Sequence, residues 1–223
     1  MNKTILITGT TSGVGAAIAH DYIEKGWTVI GFARGKSIFQ FENYKHFEVD
    51  VTNVYLLSVI FEQIDNIDIL VNNAAVFKMK PFSQTSIDEI DDMIDINLKG
   101  AMYVTRFALQ KMEKGSRIFF INSVAGLEEL ENQSAYCSSK HGLTGFAGVL
   151  GQELRPRGIK VTSIHPGGID TPLWSRDIPY PCGDVSKAIS PIELVKLIDF
   201  VYNSKFNIEY KTIKMFPDTE WHK

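Results

Sequence analysis

The chain has 223 residues, 44% of them hydrophobic and 22% charged, with a formal net charge of -3. That is enough material for one packed globular unit, and the mildly acidic balance argues against a general binder of nucleic acid or of anionic membrane surfaces. No apolar run approaches the ~18 residues of a membrane span, the N-terminus turns glycine-rich too early for a secretory leader, and Cys137 and Cys182 have neither metal-ligand nor disulfide-framework spacing. The expectation is a reduced, cytoplasmic protein with no metal, no nucleic acid and no membrane partner.

Residues 3–8 are a short apolar run without helical period, which predicts a strand buried on both faces. Gly9-Thr10-Thr11-Ser12-Gly13-Val14-Gly15 follows, then a helical pattern from Ala16 to Lys25 with Gly26 as its C-terminal stop. A strand, a glycine turn and a helix N-terminus form a phosphate site, because backbone N–H groups and the helix dipole point at the anion. Glycine lets the backbone approach a pyrophosphate closely. A second strand is predicted from Trp27 to Phe32. A site for NAD would place a carboxylate beyond it, on the ribose hydroxyls. The residues there are Ala33-Arg34-Gly35-Lys36, and Arg34 suits a ribose 2′-phosphate instead. The expected cofactor is therefore NADP(H), with NAD(H) as the second choice.

A third strand near His46 to Val49 runs into Asp50-Val51-Thr52, and a helix is expected from Thr52 to Ile64. Residues 67–71 predict a fourth strand, with Asn72-Asn73-Ala74-Ala75 at its carboxyl end, where open α/β sheets bind ligands. Ser86-Ile87-Asp88-Glu89 fits a capping box and starts a helix toward Ile96-Asn97. Residues 98–113 continue helical until Gly115. Asn97 is a poor helix former, for which a solvent-satisfied mid-helix kink is the bland explanation. Residues 117–121 predict a fifth strand ending at Asn122-Ser123. A long helix over 134–154 carries Tyr136 and Lys140 one turn apart on one face. An ammonium beside a phenol lowers the phenol's pKa and suits it to proton transfer with an alcohol.

Residues 159–164 predict a sixth strand that opens into His165-Pro166-Gly167-Gly168-Ile169-Asp170-Thr171. Ser190-Pro191-Ile192-Glu193 has the pattern of a helix start with Ser as N-cap, and that helix should reach about Tyr202. Lys211 to Phe216 predicts a last strand. Strand and helix alternate throughout, without repeat or linker. This predicts one α/β domain over 1–223, a doubly wound parallel sheet of six or seven strands with helices on both faces.

These motifs together resemble the short-chain dehydrogenase/reductase family. Thr8-Gly9-Thr10-Thr11-Ser12-Gly13-Val14-Gly15 resembles its T-G-x-x-x-G-x-G cofactor motif, and Asn72-Asn73-Ala74-Ala75 its N-N-A-G motif with Ala75 replacing glycine. Tyr136 and Lys140 match Y-x-x-x-K, and Pro166-Gly167 with Ile169 and Thr171 match the nicotinamide-side turn. The resemblance implies a Rossmann-like fold and an NAD(P)(H)-dependent oxidoreductase interconverting a small carbonyl and an alcohol. It implies a catalytic set of Asn97, Ser123, Tyr136 and Lys140. Tyr136 would be general acid and base, Lys140 its tuner and ribose ligand, Ser123 the carbonyl's hydrogen-bond donor, and Asn97 the holder of a relay water. It also implies cofactor contacts from Thr8, Gly9, Thr11, Ser12, Gly13, Val14, Gly15, Arg34, Asp50, Val51, Asn73 and Ala74, with Asn72 supporting the fourth strand. A homodimer or homotetramer is implied. A non-catalytic NADP(H)-binding regulator on the same fold is the alternative.

Two segments bear on substrate. Val124 to Glu131 carries three glutamates, which either form a solvated loop or rim the pocket and disfavour an acidic carrier protein. Pro172 to Ile189 is short for a substrate lid and should be loop, giving an open pocket and a mobile cover. Trp174, Ile178 and Tyr180 there form either an apolar wall or ordinary packing.

Overall fold

A computed structural model describes residues 3–174 and 178–220. Seven strands form one sheet: β1 Thr4–Thr8, β2 Thr28–Ala33, β3 Tyr44–Glu48, β4 Ile69–Asn72, β5 Arg117–Ile121, β6 Lys160–Pro166 and β7 Thr212–Met215. Their order is β3-β2-β1-β4-β5-β6-β7, and every pairing is parallel. The chain winds outward from β1 to β3, then returns to lay β4 against β1's other side. That reversal leaves a crevice at the carboxyl ends of β1 and β4.

The described residues form six α-helices, α1 Gly13–Glu24, α2 Val54–Phe61, α3 Ile87–Ile94, α4 Ala101–Ala108, α5 Ser134–Leu154 and α6 Pro191–Asn203, of which α3 packs on α5 and the others cover the two faces. Helices α1 and α6 pack on one face over Ile5, Ile7, Val71, Phe119 and Ile164. Helices α2, α4 and α5 lie on the other over Leu6, Phe32, Leu70, Phe120 and Val161. Alternate residues of each central strand thus enter opposite cores, which explains why these strands read as unbroken apolar runs.

Several local expectations need correction. The 52–64 helix is shorter, because Asn53 caps it by accepting from Leu56 N–H. The 98–113 helix ends at Ala108 and gives way to turns. Ser86 and Glu89 form both halves of the expected capping box. Ser190 is the N-cap of α6, but its side chain makes no capping bond; Pro191 and the Glu193 N–H to Ser190 carbonyl bond set that start. Asn97 is neither exposed nor solvent-satisfied. It is 1% exposed and lies in a π-turn, Asp95–Gly100, between α3 and α4.

The described part of the 172–189 segment contains one short helical turn, Val185–Lys187, and otherwise loop. The expectation of a mobile cover falls partly on residues 175–177, outside the described residues. No described helix is long and apolar enough to cross a membrane, and no described group of three or more His, Cys, Asp or Glu is placed to hold a metal ion.

Candidate active site

A cavity of about 1220 Å³ lies at the carboxyl edge of the sheet. It is lined at one end by Gly9, Thr11, Ser12, Gly13 and Val14, and at the other by Ser123, Tyr136, Lys140 and the 166–171 turn. Local sequence explains the first end. Gly9 has a φ of +77°, the left-handed conformation that a side chain rarely adopts. A Cβ on Gly15 would lie 2.2 Å from the Gly9 carbonyl oxygen, so the helix can start this close to the turn only without one. Ser12, the N-cap of α1, makes no side-chain capping bond, which leaves the first-turn N–H groups for an anion. An open glycine cradle at a long helix's N-terminus fits a dinucleotide pyrophosphate.

Most of the expected cofactor residues line this cavity: Arg34, Asp50, Val51, Asn73, Ala74, Pro166, Gly167, Ile169 and Thr171 join the glycine turn there. Thr8 and Gly15 do not line it. Thr8 Oγ1 instead accepts from the N–H groups of Asn73 and Ala74, both at 2.9 Å, and so ties the ends of β1 and β4 together. Asn73 Nδ2 donates to the Thr8 carbonyl at 2.9 Å. Asp50 turns its carboxylate onto Thr52 N–H and Oγ1, at 2.8 and 2.7 Å. Asn72 supports the sheet, donating to Thr105 Oγ1 at 2.9 Å. Arg34 is exposed at the cavity edge, and its neighbour Gly35 is held by His46 Nε2 at 2.8 Å from the Gly35 carbonyl.

At the other end α5 brings Tyr136 and Lys140 to one buried face. Lys140 is 2% exposed; its Nζ lies 5.6 Å from the Tyr136 ring centroid and donates to the Ile121 carbonyl at 3.2 Å. Burial holds the Lys140 ammonium down at about 8. Burial also pushes the Tyr136 phenol up to about 12, against a Ser123 hydrogen bond that lowers it. The expectation of a lowered tyrosine pKa is thus reversed. Two groups removed together from water both favour their neutral forms, and for Tyr136 desolvation outweighs the Ser123 hydrogen bond.

Asn97 does not line the cavity. It braces the wall behind: its Oδ1 accepts from Val76 N–H at 2.8 Å, and its Nδ2 donates to the Val76 carbonyl at 2.9 Å and to Ser139 Oγ at 3.1 Å. The π-turn supplies the extra residue that aims this amide inward. Ser123 is fixed from behind by His165, whose Nδ1 donates to the Ser123 carbonyl at 2.9 Å while Nε2 faces Ser163 Oγ at 2.8 Å. His165 is fully buried, and that burial lowers its pKa and keeps the imidazole neutral. Sequence reasoning passed over His165 because its partners come from strand pairing.

Of the three residues the sequence left open, Trp174 lines the cavity, where Phe77 joins it, whereas Tyr180 and Ile178 are packing residues that do not line it. The Phe77 ring centroid lies 4.6 Å from that of Tyr136 and 5.8 Å from that of Trp174, and Trp174 lies 5.1 Å from Tyr180. Ile178 packs on the same cluster. Glu128 and Glu131 line the cavity, so the acidic loop does rim it.

Residues 3–179 match a family model described as short chain dehydrogenase. The chain is 34% identical over 187 residues to 3-oxoacyl-(acyl-carrier-protein) reductase FabG of Aquifex aeolicus, covering 77% of this chain and 75% of that protein. It superposes on 4-hydroxyisoleucine dehydrogenase complexed with NADH with a TM-score of 0.83 and 26% identity, covering 100% of both chains. A closed form of serine dehydrogenase complexed with NADP+ gives a TM-score of 0.83 and 26% identity, covering 95% of this chain and 94% of that one.

Proposed function

The chain belongs to the short chain dehydrogenase family and is a nicotinamide dinucleotide-dependent oxidoreductase of CH–OH groups, in which we propose that Tyr136 carries the proton. The supporting observation is the meeting of Tyr136, Lys140 and Ser123 in one cavity with the glycine cradle. When bound, the dinucleotide supplies hydride to a carbonyl carbon or takes it from an alcohol carbon. In the reducing direction the Tyr136 phenol donates its proton to the carbonyl oxygen as that oxygen gains charge. Ser123 Oγ hydrogen-bonds the same oxygen. Lys140 stabilises the phenolate left behind and would hold the ribose of a bound dinucleotide. Asn97 positions the wall that Lys140 and Tyr136 share, through its bonds to Val76 and Ser139. In the oxidising direction each proton moves back along the same path.

Tyr136→Phe tests this. The phenyl ring keeps the packing against Phe77 and loses the proton, so turnover should fall about 10³-fold while dinucleotide affinity stays within about threefold. Turnover equal to wild type would remove Tyr136 from the mechanism.

We prefer NADP(H) as the cofactor, on the position of Arg34 at the cavity edge and the lack of a carboxylate beside it. Arg34→Asp should lower kcat/KM for NADPH at least about tenfold relative to NADH; an unchanged ratio would count against Arg34. The substrate is a small carbonyl or alcohol. The acyl carrier substrate of the FabG relative is not carried over, because Glu128 and Glu131 at the rim repel an acidic partner. A cytoplasmic homodimer or homotetramer remains the expected form, with exposed Met102 on α4 and Val149 on α5 as apolar surface for assembly; a monomeric mass by light scattering would refute it.

A further inference from the structure

We propose that Glu220 sets the charge preference at the substrate end of the cavity, favouring alcohols and ketones that carry an ammonium group over neutral ones, and both over anionic ones. The proposal rests on the oxidoreductase reading of the same cavity.

Glu220 returns to the site from the C-terminal segment. Its two carboxylate oxygens accept from the Gly168 N–H at 3.0 and 3.1 Å, and Oε1 also accepts from the Tyr180 hydroxyl at 2.7 Å. Both donors are neutral, so the group is held in place without losing its charge. No described lysine or arginine forms an ion pair with it. The glycine pair is a seat built for this carboxylate. A Cβ on Gly167 would lie 2.1 Å from Glu220 Oε2, and one on Gly168 would lie 2.3 Å from the Tyr180 ring and 2.6 Å from Glu220 Oε1.

The carboxylate lines the cavity beside the 166–171 turn, at the end that also holds Tyr136 and the Phe77–Trp174 wall. A fixed negative charge next to aromatic faces attracts a cation in two ways, by Coulomb attraction and through the ring quadrupole. The rim has the same sign. Glu131 carries no described ion pair, and Glu128 is partly offset by Lys214 at 3.2 Å. The described cations that line the cavity lie elsewhere: Arg34 beside the glycine turn, and Lys140 buried beneath Tyr136. Among the described residues, no positive group at the substrate end is free to meet a carboxylate or phosphate.

Three ligands of one shape separate the charges: phenylethanolamine, phenylethanediol and mandelate share a benzylic secondary alcohol and differ in the adjacent group. Calorimetric titration of each into the full-length protein saturated with NADP+ reads binding without requiring turnover. Wild type should bind phenylethanolamine at least about tenfold more tightly than mandelate, with the diol between them. Glu220→Gln keeps an acceptor for Gly168 and Tyr180 and removes the charge, so the spread should shrink to within about threefold. Glu131→Gln should change it less. Mandelate binding as tightly as phenylethanolamine, no measurable binding of phenylethanolamine, an unchanged spread in Glu220→Gln, or an equal loss in Glu131→Gln would each overturn the proposal. If Glu220→Gln fails to fold, the wild-type order decides alone. Turnover of the bound alcohols is assayed separately: intact charge selectivity with no hydride transfer for any alcohol counts against the oxidoreductase reading, and lost selectivity with turnover intact counts against Glu220 only.

Discussion

Lys140 shows how far a single side chain departs from its solution chemistry. An unfolded lysine titrates near 10.5 and the folded one about 8. Between those values the unfolded chain holds the extra proton, so stability climbs with pH across that window. Below it the folded apoprotein bears the full cost of a buried ammonium that donates, among the described residues, to the Ile121 carbonyl. Lys140→Met fills the same space without the charge. Apo Lys140→Met should therefore be more stable than wild type near pH 7 by a few kcal/mol at most, and the gap should close as pH rises from about 8 toward about 10. Urea unfolding at several pH values reads this directly; a pH-independent gap would mean that the ammonium is not the cause. Turnover should fall in the same variant. The sequence places Lys140 and Tyr136 on one helical face, because a spacing of four is local information. It does not give the sign of the tyrosine shift, because burial depends on Phe77 and on the 166–171 turn, which arrive from elsewhere in the chain.

At the level of elements, the strands and the glycine turn are legible because their chemistry is written in consecutive residues. The apolar runs of β1, β2, β4, β5 and β6 needed no partner to be recognised, and the α3 capping box is complete within four residues. The π-turn is different. Its reason is Val76, whose N–H and carbonyl both bond the Asn97 side chain from 21 positions away. Two substitutions separate these cases. Ser86→Ala removes a cap at an exposed helix start and should cost about 1 kcal/mol with no change in turnover. Asn97→Ala strands buried groups of Val76 and Ser139 and should cost about 2–4 kcal/mol, with a fall in kcat as the wall behind Lys140 relaxes. Thermal unfolding and steady-state kinetics on both variants check this; equal stability losses would show that the Asn97 bonds do not act as a buried brace.

The whole molecule holds its site across a sheet whose two halves meet between β1 and β4. That alternating order is visible in the sequence. The closure of the site by the C-terminal segment is not, because Glu220 meets Gly168 across 52 positions and no local pattern marks the pairing. Residues from Gly9 to Glu220 line one cavity, so a dinucleotide bound in it would bridge elements far apart in the chain, and its binding energy would add to global stability. At 100-fold excess over Kd the gain is about 2.7 kcal/mol. For a chain of this size each kcal/mol moves Tm by roughly 2–4 °C. Saturating NADPH should therefore raise Tm by roughly 5–10 °C. If Arg34 meets a 2′-phosphate, NADH at the same concentration should raise it by several degrees less, since a tenfold weaker Kd removes about 1.4 kcal/mol. The Arg34→Asp variant should bring the two shifts together by reducing the NADPH one. Equal shifts for both dinucleotides in wild type would remove the basis for an NADP(H) preference and leave the glycine cradle intact. No shift with either would mean that the cradle does not hold a dinucleotide, and the role of every residue from Thr8 to Gly15 would have to be argued again.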